Sequence, residues 1–146
     1  MATAEENIQQ VKEIVTKPLP TPPPLTANSS AKALKDRLNW GEPGLTIIDV
    51  RNRQDFNNER IMGAMSMPVD TLVETANRSL TKNRDIYVYG NNDEETAQAV
   101  NMLREAGFTS VAHIEGGMVA WKEVKGSLEG PFTYHGPVVR FYSQGE

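Results

Sequence analysis

Residues Ile86 to Phe108 constrain the fold of this chain more than any other stretch. Ile86-Tyr87-Val88-Tyr89 is β-branched and aromatic, the pattern of a short strand buried on both faces. Gly90-Asn91-Asn92-Asp93-Glu94-Glu95 then turns the chain with polar and flexible residues. From Asp93 the period becomes helical: Ala99, Met102, Leu103 and Ala106 recur at three- and four-residue steps, and Val100 widens the same face. Asn92 is placed to cap this helix. Asp93, Glu94 and Glu95 fall in its first turn, where carboxylates favour the positive end of the helix dipole. Gly107 suits the left-handed residue after the helix, and Phe108 the hydrophobic position beyond it. A strand that turns directly into a helix N-terminus makes a cradle of backbone N–H groups, a common anion site in α/β proteins.

The remaining chain repeats the alternation. Ser29 or Ser30 can cap a helix with Ala33, Leu34 and Leu38 on its apolar side, ending near Trp40-Gly41. Leu45 to Val50 reads as a central strand, Arg53 to Arg60 as a short helix with Phe56 turned inward, and Ile61 to Pro68 as a loop and short strand. Asp70 to Leu80 carries a weak helical pattern. Ser110 to Ile114 is another strand, and Gly116-Gly117 opens a helix through Met118, Trp121 and Val124. Short apolar strands alternating with helices predict an α/β fold with a small, mainly parallel sheet.

Outside this core the composition changes. Residues 1–25 combine a short amphipathic segment, Ile8, Val11 and Val15, with five prolines between Pro18 and Pro24, which reads as a semi-rigid linker. Residues 126–146 are rich in glycine and aromatic side chains, Phe132, Tyr134, Phe141 and Tyr142 among them. That extension is expected to pack on the domain or pair with a second copy. The expected organisation is therefore an N-terminal segment 1–25, a domain 26–125 and a C-terminal extension 126–146.

Charge and cysteine content exclude several functions. The net charge of −4 is spread over mixed signs, so neither nucleic acid nor an acidic membrane surface is an expected partner. No apolar run approaches the roughly 18 residues of a membrane span. Glu5 and Glu6 stand where a secretory signal would carry an apolar region, so a cytoplasmic location is expected. The chain contains no cysteine, which removes disulfides, thiolate metal sites and thiol catalysis together. His113 and His135 alone do not make a metal site, and neither a metal nor a cofactor is expected.

Four segments, taken in order, resemble the rhodanese (thiosulfate sulfurtransferase) family over residues 26–125. Ile48-Asp49-Val50-Arg51 with Asp55-Phe56 is similar to its "hDVR…(D/E)F" signature. Ile61-Met62-Gly63-Ala64 with Met67-Pro68 is similar to "HIxGAxxIP", with Arg60 where the family often has histidine. Gly116-Gly117 with Trp121 is similar to the closing "GGxxxW". The Gly90–Glu95 loop is similar to the family's active-site loop. The resemblance implies a three-layer α/β/α fold and gives Asp49, Arg51, Gly63, Gly116, Gly117 and Trp121 structural roles. It also places the family's cysteine nucleophile at Gly90. In active members the loop beyond that cysteine is small or basic, and its N–H groups stabilise a persulfide; here it is acidic.

Sulfur transfer needs a thiolate to attack the outer sulfur of thiosulfate and hold it as a persulfide. Glycine offers no nucleophile. Asp93, Glu94 and Glu95 would each repel an anionic substrate, by about 1 kcal/mol at contact in water and more where solvent is excluded. The leading expectation is a catalytically inactive domain that binds or regulates another protein, with the loop as contact surface and a basic partner. One alternative is a sulfurtransferase-related enzyme that relies on a partner's cysteine. Another is a structural homo-oligomer built through the C-terminal extension. The three acids have a plainer use as helix stabilisers, and one of them could fill the empty cradle. Asp49 and Arg51 are expected to form a buried ion pair at the strand end rather than a catalytic pair. Met62, Met65 and Met67 are expected to fill gaps in the core.

Overall fold

The computed structural model of the chain describes residues 25–41 and 44–131. The amphipathic segment, the proline-rich linker through Pro24, His135 and the aromatic residues from Phe132 onward lie outside the described residues. The strands are β1 (Asn28–Ser29), β2 (Leu45–Asp49), β3 (Arg60–Ile61), β4 (Met65–Ser66), β5 (Asp85–Tyr89), β6 (Val111–Ile114) and β7 (Leu128–Glu129). The helices are α1 (Ala31–Asn39), α2 (Arg53–Asn58), α3 (Leu72–Ser79), α4 (Asp93–Glu105) and α5 (Gly117–Glu123), with one 3-10 turn, Val69–Thr71, leading into α3.

The main sheet has the order β1-β6-β5-β2-β4, with every neighbouring pair parallel. Its central strand β5 shows why both faces are covered. Ile86 and Val88 point into one core, with Val100 and Leu103 of α4 and Leu72 and Ala76 of α3. Tyr87 and Tyr89 point into the other, with Leu34 of α1, Phe56 of α2 and Trp121 of α5. This alternation follows from the two-residue period of a strand, so a four-residue apolar run supplies two cores. Each fully buried aliphatic side chain contributes roughly 1.5–3 kcal/mol relative to exposure. The fold is therefore the expected three-layer α/β/α arrangement around a mainly parallel sheet.

Local chemistry explains the element ends. Ser30, not Ser29, caps α1, accepting from the Ala33 N–H at 3.0 Å. Ser29 instead extends β1, whose two residues hold to β6 through His113 N–H to the Ala27 carbonyl and Glu115 N–H to the Ser29 carbonyl, both 2.9 Å. Helix α4 ends as its sequence predicts. Gly107 takes φ +101°, its N–H donates to the Arg104 carbonyl, and Phe108 packs into the core while its N–H reaches the Leu103 carbonyl.

Three features differ from the sequence reading. Strands β1 and β7 are two residues each, too short to carry a period. Strand β7 pairs antiparallel with β3, so the first residues beyond 125 add to the domain. Of the three methionines expected to fill the core, only Met67 does; Met62 and Met65 are 43% and 40% exposed because they flank the turn between β3 and β4. Among the described residues no helix is long and apolar enough to cross a membrane.

Candidate functional site

The site lies at the carboxyl end of the sheet, where β5 stops and the Gly90–Asn92 turn enters α4. Gly90 is buried, while Asn91, Asn92, Asp93 and Glu94 are exposed and Glu95 is half-buried. Asn92 caps the helix as expected, its Oδ1 accepting from the Glu95 N–H at 2.7 Å. One turn on, the buried Thr96 hydroxyl donates to the Asn92 carbonyl at 2.8 Å. The turn is thus fixed from both sides by short polar side chains competing for backbone groups, the ordinary use of such residues at a helix start.

The three loop acids do different things. Glu95 folds back over the turn, and its Oε1 accepts from the Asn91 N–H at 2.8 Å and from Asn91 Nδ2 at 3.1 Å. Asp93 turns the other way. Its Oδ1 accepts from the Gly116 N–H at 3.0 Å and sits 3.2 Å from His113 Nε2, tying the start of α4 to the end of β6. The Gly116 N–H, and after it His113, hold the Asp93 carboxyl below its ordinary pKa. Glu94 is exposed and makes no hydrogen bond or ion pair among the described residues.

Gly116 and Gly117 close the rim. Their φ values of +77° and +51° suit glycine, and a Cβ on Gly117 would come within 3.2 Å of the Gly90 carbonyl oxygen. The pair therefore lets α5 start directly against the loop.

Beneath the loop, Asp49 and Arg51 form the buried pair expected of them. Arg51 Nη2 lies 2.7 Å from Asp49 Oδ2, with the Asp49 side chain 0% and the Arg51 side chain 12% exposed. The same guanidinium donates to the Glu59 carbonyl at 2.6 Å, so one cation ties the end of β2 to the end of α2. It also stands 5.6 Å over the Tyr89 ring. Burial first, and then the Asp49 carboxylate, push the Tyr89 hydroxyl up from its ordinary pKa, and that oxygen accepts from the Ile61 N–H at 3.1 Å.

The structure therefore brings Gly90, Asn91, Asn92, Asp93, Glu95, Gly116 and Gly117 together, with Asp49 and Arg51 below them. It does not bring in Gly63 or Trp121. The Gly63 N–H donates to Glu129 Oε1 at 3.1 Å, and Trp121 Nε1 donates to the Ser127 carbonyl at 2.8 Å; both fasten the β7 segment. Two residues of the site escaped the sequence reading, His113 and Thr96. The signal for Thr96 was its place one turn after the cap; the contact of His113 with Asp93 depends on β6 lying beside α4. A half-open cleft of about 240 Å3 lined by Lys35, Leu38, Asn39, Met62, Trp121 and Ser127 contains no residue of the loop. Among the described residues no cluster of acidic or histidine side chains could hold a metal ion.

With this geometry in place, the family model of the rhodanese-like domain matches residues 30–124. The chain belongs to the rhodanese-like domain family. A crystal structure of the Alr3790 protein from Anabaena sp. is similar at 51% identity with a TM-score of 0.69, covering 80% of this chain and 99% of that one. Protein YqhL of Bacillus subtilis is 31% identical over 75 residues, 51% of this chain and 59% of that protein. The thiosulfate sulfurtransferase GlpE of Tolumonas auensis is 27% identical over 82 residues, 56% of this chain and 76% of that protein. The chain spans about half the length of the first two curated relatives it matches, 45% and 59%. This rhodanese-like domain carries glycine where the resemblance places the family's nucleophile, in a chain without cysteine.

Proposed function

We propose that this rhodanese-like domain transfers no sulfur and serves as a protein-binding or regulatory module, with the Gly90–Glu95 loop as its contact surface. The observation that carries the reading is Gly90 itself. It stands at the end of β5 against the helix N-terminus, buried, with no side chain and with no thiol anywhere in the chain to substitute for it. Thiosulfate chemistry needs a thiolate that breaks the S–S bond, releases sulfite and keeps the sulfane sulfur. The loop also presents negative charge to an anion that would have to approach it. Exposed Asn91, Asn92 and Glu94 leave a polar surface around the closed turn, suited to a partner with basic and hydrogen-bonding groups. Surface carboxylates alone bind weakly, so a partner would also need neighbouring apolar area.

Two measurements test this. Thiocyanate formation from thiosulfate and cyanide by the purified chain is expected to stay at the level of a protein-free control; turnover above it would overturn the reading. Partner capture is then compared between the native chain and Glu94→Lys, which reverses an exposed charge that makes no side-chain bond among the described residues. Loss of specific partners supports the loop as contact surface, and an identical partner set removes it.

A further inference from the structure

We propose that Glu95 is a built-in occupant of the cradle: its carboxylate sits over Gly90, takes the Asn91 N–H for itself, and fills the space that a side chain or anion at this position would use. The inference rests on reading Gly90 as the vacated nucleophile position, and it adds what has replaced the nucleophile.

A Cβ on Gly90 would lie 2.7 Å from Glu95 Oε1, closer than its next neighbours, Thr96 Oγ1 and Val50 Cγ2, both at 3.1 Å. Gly90 is not in the left-handed region, so its backbone would accept a side chain. What excludes one is chiefly the end of a flexible carboxylate. The bonding is consistent with this. The Asn91 N–H follows Gly90 directly and is the donor nearest to any group placed there; it is already given to Glu95 at 2.8 Å. Asn91 Nδ2 adds a second contact to the same oxygen at 3.1 Å. At its other end Glu95 is fixed through its N–H to Asn92 Oδ1. Neither other acid of the loop can take this place, since Asp93 is committed to Gly116 and His113 and Glu94 makes no such bond. Among the described residues no cation pairs with Glu95, so its charge is met by N–H donors, as a bound anion's would be.

The consequence is a loop that keeps its shape without a ligand. Without Glu95 the exposed Asn91 N–H would be left to water or to a bound anion. The acid that completes the turn thus also sets a negative charge over the position an incoming anion would approach.

The test uses the full chain. In amide NMR spectra, Glu95→Ala is expected to move the Asn91 N–H resonance more than those of Asp93 and Glu94, because only Asn91 loses its acceptor. An unmoved Asn91 resonance overturns the seating. Gly90→Cys is then compared with Gly90→Cys/Glu95→Gln for thiol alkylation by uncharged iodoacetamide across pH. A neighbouring carboxylate disfavours the thiolate, so below the thiol's pKa the second variant is expected to react about tenfold faster. Equal reactivity of the two variants would mean that the carboxylate does not lie beside position 90, and overturns the seating. Thiocyanate formation by the native chain would instead strike down the reading of position 90, while the Asn91 result would stand.

Discussion

Asp49 ends one central strand and Tyr89 ends its neighbour, and the two are paired in register. Beyond Asp49 the chain is anchored inward. Arg51 is gripped by Asp49 and by the Glu59 carbonyl, and both side chains are shielded from water. Beyond Tyr89 the turn is held mostly by its own short-range bonds, with Asp93 alone of its acids reaching across to Gly116 and His113. Asn92 holds Glu95, Glu95 holds Asn91, and the polar atoms of the turn lie largely in solvent. The buried end supports the sheet and keeps the family's pattern. The exposed end carries less of that load, so its residue types can vary more freely while the fold persists. In this domain, the scaffold and the candidate site occupy adjacent strand ends but are held by largely separate sets of bonds, and a fold alone does not carry an activity.

The largest expected effect breaks the buried end. Asp49→Ala leaves the Arg51 guanidinium largely enclosed without its carboxylate, a loss of roughly 3–5 kcal/mol. Urea unfolding of the full chain reads this as a large fall in midpoint. A loss below about 1 kcal/mol would mean that the pair does not anchor the strand end and that the contrast between the two ends is false.

Asn92→Ala acts on the exposed end and is expected to cost about 1 kcal/mol, the usual value of a helix N-cap. It removes the acceptor of the Glu95 N–H and so also loosens the acid over Gly90. Unfolding midpoints of the two variants, side by side, sharpen the comparison: the loop variant should remain several-fold less damaging than Asp49→Ala. Equal losses would make the loop as structural as the foundation beneath it.

Much of this was legible before the structure, for identifiable reasons. Helix α4 announced its start and end because capping chemistry is local: Asn92, Gly107 and Phe108 act within a few residues of one another. The two-sided burial of β5 followed from four consecutive apolar residues, and the buried Asp49–Arg51 pair from charges placed at the end of an apolar strand. Thr96 apart, whose contact lies one turn after the cap, the features that were missed depend on elements distant in sequence. Strand β1 exists because β6 lies beside it, β7 because β3 does, and His113 reaches Asp93 only across the β6–α4 packing. Met62 and Met65 were misplaced for the same reason, since hydrophobicity alone does not tell a core filler from a residue at an exposed turn. Within the loop, the sequence supplied three equivalent acids, and only their geometry separated the one seated over Gly90 from the one bound to Gly116.

That separation yields the smallest effect. Asp93 is the loop acid that ties α4 to the start of α5, and its carboxyl lies below the ordinary value because the Gly116 N–H, and then His113, favour the charged form. A group with a depressed folded pKa contributes stability above its unfolded pKa, 3.8 for this carboxyl, and loses it as pH falls through the folded value. The Asp93 side chain is 60% exposed, so solvent screens the contact and the contribution is expected to stay under about 1 kcal/mol. Asp93→Asn should therefore unfold slightly more easily than the native chain at neutral pH, and the difference should close as the pH is taken below about 3.8. Unfolding curves of the two chains at neutral and strongly acid pH measure it. A gap that persists unchanged in acid would assign the effect to the shape of the side chain, and the exposed end would then contribute through packing rather than charge.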